Sequence, residues 1–131
     1  MENAERFFMV EKWYDERYDG EPDLTLTIKE YPDLYLHIWD GYFDNIFHKN
    51  FRTNGIYWAG FTRDNQEFIR TFSDEVVEIE NLDEYITDLL LYKDLDFEKN
   101  CYSETKEVYN DILDFLTFAK QNGLTVIAQY D

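Results

Sequence analysis

Two short runs in the first third of the chain limit what it can become. Leu24 to Lys29 reads LTLTIK, and Leu34 to Trp39 reads LYLHIW. In the first, Leu24, Leu26 and Ile28 share one face, while Thr25, Thr27 and Lys29 share the other. In the second, Leu34, Leu36 and Ile38 oppose Tyr35, His37 and Trp39. A hydrophobic period of two is the mark of a half-buried strand. Apolar-in, polar-out alternation belongs to antiparallel sheets with one face in water. Tyr31-Pro32-Asp33 lies between the runs and reads as a turn, so the pair predicts a hairpin or meander.

The other segments are read against that pair. Arg6 to Tyr14 is apolar and aromatic and predicts a strand, followed by a polar run and a turn at Gly20-Glu21-Pro22-Asp23. Tyr42 to Arg52 puts Phe43, Ile46, Phe47 and Phe51 at helical spacing, and Thr53-Asn54-Gly55 stops it. Ile56 to Phe61 and Glu67 to Phe72 predict a strand pair, with Gly60 marking a bulge or a close backbone approach. Val76 to Ile79 predicts a short strand. Asn81 caps a helix whose buried stripe is Leu82, Tyr85, Ile86, Leu89 and Leu90. Ser103 caps a last helix carrying Val108, Ile112, Phe115, Leu116 and Ala119 inward. Lys120 lies in its final turn and Gly123 ends it. Leu124 to Tyr130 closes the chain as a strand. The sum is an α+β fold: an antiparallel sheet of about five to six strands with two C-terminal helices and one short helix inserted mid-chain.

At 131 residues, 44% of them hydrophobic, the chain predicts a single domain over residues 1–131 with a real core. Aromatics make up 19% of it, a load in which Tyr and Trp could also serve an interface. A single cysteine, Cys101, allows no intrachain disulfide and fits a reducing compartment. The N-terminal segment has acids where a secretory signal has a basic region and a long apolar run, and no stretch is apolar enough to span a bilayer. The expectation is a soluble, cytoplasmic protein.

No pattern of catalysis stands out. His37 and His48 belong to no metal-ligand motif. Cys101 has acids on either side, which raise a thiol's pKa. Asp94, Asp96 and Glu98 alternate as in a calcium loop but lack its glycine and distal Glu. A Gly-rich phosphate loop and a nucleophile elbow are both missing. The sequence therefore predicts a non-enzyme without cofactor or metal.

What remains is charge. The formal net charge is -17, which repels nucleic acid and anionic membranes and attracts basic partners. It concentrates in Ser73 to Glu98, where ten carboxylates face one cation, Lys93, amid enough apolar residues to pack. Asp74, Glu75, Glu78, Glu80, Asp83, Glu84 and Asp88 are candidate partner-binding residues. Glu104, Glu107, Asp111 and Asp114, at helical spacing, predict a second acidic stripe that extends the field if the two helices pack side by side. Trp58, Tyr85 and Tyr92 are candidate aromatic anchors.

In size, acidity and aromatic content the chain resembles the immunity proteins of bacterial polymorphic-toxin and contact-dependent growth inhibition systems. The stretches DEVVEIENLDEYITDLL and SETKEVYNDILDFLTFAKQNGLTVIAQYD carry the resemblance. It is one of class, and it transfers no residue role. It implies an antitoxin that binds and neutralises a cognate basic toxin, such as a nuclease, in the cytoplasm. Two other functions fit the same composition. One is a nucleic-acid-mimic inhibitor from a phage or mobile element. The other is a small adaptor or ligand-binding domain whose acidity is incidental.

Overall fold

The computed structural model describes residues 3–14, 21–47, 60–61, 75–91 and 103–130. These form an α+β fold. A short 3₁₀ turn, Ala4–Phe7, leads into β1 (Val10–Trp13). β2 (Asp23–Ile28) and β3 (Tyr31–Trp39) follow, and α1 (Asp40–Phe47) continues directly from β3. β4 (Glu75–Ile79), α2 (Leu82–Leu90), α3 (Thr105–Gln121) and β5 (Val126–Tyr130) complete the order.

The sheet runs β1-β3-β2-β5-β4. Three of its pairings are antiparallel, but β1 lies parallel to β3, so the sheet is mixed and not purely antiparallel. The two alternating runs become β2 and β3. Leu24, Leu26 and Ile28 pack inward beside Leu34, Leu36 and Ile38, all nearly inaccessible. Val126, Ala128, Tyr130 and Ile79 extend that face across β5 and β4. The opposite face carries Thr25, Thr27, Tyr35 and His37, each half-buried, with exposed Val76, Glu78 and Gln129.

The β2–β3 turn falls at Lys29 and Glu30, two residues earlier than expected. Tyr31-Pro32-Asp33 is the start of β3 instead. Thr27 faces Tyr35 while Ile28 faces Tyr31, so the residues between Tyr31 and Tyr35 bulge away from β2. Proline lacks a backbone donor, and such a bulge is where a strand tolerates it. Glu30 ties this turn to β5, its carboxylate accepting from Thr125 N and Oγ1, both at 2.8 Å.

Helices cover the inner face with aromatic rings. Phe43 and Phe47 of α1 are 4.6 Å apart at their centroids. Phe61 packs edge-on against Phe43 and against Tyr85 of α2. Phe7 of the 3₁₀ turn does the same to Phe115 of α3. Gly60 and Phe61, the end of the strand expected over residues 56–61, are helical, with Gly60 at φ 57°; residues 56–59 lie outside the described residues. The expected strand over residues 67–72 and the last residues of the mid-chain helix lie outside the described residues. Asn81 caps α2 as expected, its side chain accepting from Glu84 N at 3.2 Å. Ser103 does not cap α3: the cap position is Glu104, with no side-chain cap bond. Gly123, at φ 65°, ends α3.

Candidate docking surfaces

The structure scatters the acidic residues singled out in the sequence. Glu75 opens β4, and Glu78 and Glu80 are exposed in and just beyond that strand. Asp83 and Glu84 occupy the first turn of α2, where the helix dipole favours anions. These residues form one acidic corner, and two lysines already meet it. Lys29 lies 3.4 Å from Glu78, and Lys120 pairs with Asp83. Glu84 also has a structural task, accepting from Gly60 N at 3.2 Å.

Tyr85, Asp88 and Asp111 are inside the protein, at 5%, 1% and 8% accessibility, and are corrected from surface to interior. Tyr85 faces Phe61 in the core. Asp111 accepts from Trp13 Nε1 at 2.8 Å and from Arg6 Nη2 at 3.0 Å, with Lys12 Nζ at 3.3 Å. Asp114 meets Arg6 Nη1 at 2.8 Å. An acidic stripe read as surface thus divides in two. Its inner half anchors the N-terminal segment to α3. Glu104 and Glu107 remain exposed, and Asp114 is half-exposed. Asp74, Trp58 and Tyr92 lie outside the described residues.

α2 and α3 do pack side by side, but antiparallel. Asp83, at the start of α2, meets Lys120 at the end of α3, and Tyr109, early in α3, donates its hydroxyl to Leu89 O, late in α2. Glu104 is therefore roughly 24 Å along the helix from Lys120. That exceeds the Debye length of about 8 Å at physiological salt. The acids form two separate clusters and not one field.

A second arrangement went unread in the sequence because its members come from three strands. His37 sits between two carboxylates, with Nδ1 2.6 Å from Glu11 Oε2 and Nε2 2.7 Å from Asp23 Oδ2. Both ring nitrogens can donate only in the imidazolium form. Tyr14 stacks on the ring at 4.2 Å, and Tyr35 donates its hydroxyl to Glu11 at 2.8 Å. Burial opposes the charged ring, but the hydrogen bonds and charges of Asp23 and Glu11 outweigh it and raise the His37 pKa. The cluster bolts β1, β3 and β2 together on the polar face. The only hint of it in the sequence is that His37 alternates outward with Tyr35.

Comparison with protein-family models, curated proteins and solved structures returned no match. Among the described residues no helix is long and apolar enough to cross a membrane.

Proposed function

We propose that this chain is an immunity protein: it binds a basic protein toxin, most simply a nuclease, and neutralises it stoichiometrically. One observation carries the reading. With Asp88 and Asp111 buried and Asp111 tied to Trp13 and Arg6, exposed acids remain on well-packed elements at both ends of the α2–α3 pair. Glu78, Glu80 and Asp83 are at one end, Glu104 and Glu107 at the other. Nuclease clefts need Lys and Arg to hold phosphate. Carboxylates fixed on a folded surface meet those cations and steer the encounter. The lysines interspersed at the β4–α2 corner do not suit a phosphate-like row, which sets a nucleic-acid mimic behind this reading.

The test pairs the purified chain with the basic nuclease domain that the proposal expects to be encoded beside it. Titration of the purified chain into a nuclease assay should abolish cleavage at a one-to-one ratio. The association rate should fall steeply as salt rises from about 0.05 M to about 0.5 M, because steering is screened. Absence of inhibition, or an association rate indifferent to salt, would overturn the proposal.

A further inference from the structure

Charge steers an encounter, but grip comes from a few desolvated apolar side chains ringed by polar ones. Of the anchors expected from the sequence, Tyr85 is core, and Trp58 and Tyr92 lie outside the described residues. A different set is exposed. Phe8 is 56% accessible, Met9 49% and Tyr31 48%. They gather along the start of β3. Phe8 bridges to Leu34, Met9 N donates to Asp33 O at 2.8 Å, and Tyr31 is the first residue of the strand. Beside them lies a concavity of about 360 Å³ whose apolar lining includes Tyr31, Pro32 and Leu34.

Single exposed apolar residues are ordinary, but three held at one end of a strand beside an apolar concavity suit a contact surface. Two further features set this one apart. Met9 holds a left-handed backbone, φ 46°, a conformation that any residue with a Cβ adopts at a cost and that tends to persist where function requires it. The rim is acidic: Glu5 and Asp33 are exposed, and no ion pair engages either one among the described residues. At the β4–α2 corner, by contrast, lysines already meet two of the acids.

We infer that Phe8, Met9 and Tyr31 are the centre of the docking surface. They receive a basic protein whose apolar side chain enters the Tyr31–Leu34 concavity while flanking Lys or Arg residues meet Glu5 and Asp33. This rests on the proposed function for the partner's charge, but it names the place of grip. The division of labour follows: acids at the β4–α2 corner set the association rate, and the apolar centre sets dissociation.

Two measurements decide it. In surface-binding kinetics with the nuclease domain, Phe8→Ala and Tyr31→Ala should each speed dissociation by about tenfold or more, leaving association within about twofold. Glu80→Lys should slow association and leave dissociation unchanged. Separately, the peptide acetyl-Lys-Phe-Lys-amide is titrated into the isotope-labelled chain. It should produce saturable amide shifts at Phe8, Met9, Tyr31 and Leu34, which Tyr31→Ala abolishes while the other amide signals keep their positions. If the nuclease is inhibited but both alanine variants dissociate like wild type, the docking centre is wrong and the function stands. If the peptide maps to this patch but the nuclease is neither bound nor inhibited, the surface stands and the function fails. Shifts elsewhere, with no nuclease binding, would overturn both.

Discussion

Asp111 illustrates how one carboxylate changes meaning once its neighbours are known. Spaced three and four residues from other acids, it belongs by sequence to a solvated stripe. In the fold it accepts from the Trp13 indole N–H and pairs with Arg6. Asp111→Ala would bury the Trp13 donor unpaired and should cost about 2–4 kcal/mol in urea unfolding. Glu107→Ala, on the exposed part of the same helix, should stay within about 0.5 kcal/mol. His37 gives a pH signature at the same scale. Its folded pKa is raised, so its contribution is complete below the unfolded value of about 6.5 and is lost as pH rises through the folded pKa. The melting temperature should fall across that window, and His37→Gln should remove that component of the slope. Met9 is a third case. Asn tolerates the left-handed region better, so Met9→Asn should raise stability by about 0.5–1 kcal/mol in the same denaturation assay. If the docking centre is as inferred, the same change weakens partner binding, which separates strain held for function from strain without use.

At the scale of elements, what could be read in advance was local. Alternation at Leu24–Lys29 and Leu34–Trp39 located two strands because a period of two needs no distant information. Asn81 was legible as a cap because Asn is strongly favoured there, and its bond to Glu84 N spans only three residues. Ser103 was an equally good residue in an equally good place, yet the helix begins one residue later and leaves it outside. Asn81→Ala should therefore cost about 1 kcal/mol and Ser103→Ala a few tenths at most, read from urea midpoints. What could not be read depended on partners distant in sequence. The direction of β1 against β3 leaves no trace in the alternation of either strand. Pro32 signals a turn until the bulge opposite β2 gives it a place inside a strand. The acids of α2 and α3 were expected to extend one field if the helices pack side by side; they do, but antiparallel, as the Lys120–Asp83 and Tyr109–Leu89 contacts show, and the acids separate. The apolar docking centre was hidden for the same reason. Tyr31 read as turn, and Phe8 and Met9 read as ordinary strand residues.

For the molecule as a whole, a net charge of -17 on 131 residues acts on folding and on binding with opposite signs in salt. In the free protein the exposed acids repel one another more strongly in the compact state than in the expanded one. The Lys29–Glu78 and Lys120–Asp83 pairs offset a little of that repulsion, but exposed pairs contribute about 0–1 kcal/mol each. Screening therefore relieves more than it removes. Raising salt from about 0.02 M to about 0.5 M should increase the melting temperature of the free chain, as the Debye length contracts from roughly 20 Å to below 5 Å. The proposed complex should respond the other way, since its association is steered by attraction that the same ions screen. Calorimetric melting of the free chain and association kinetics with the nuclease domain, run across one salt series, test both signs together. A free chain that loses stability with salt would mean that the lysine pairs dominate and the surplus acidity is locally compensated. Acids whose repulsion is relieved by salt, and whose attraction for a basic partner is weakened by the same salt, are acids held on the surface at some expense to the free fold.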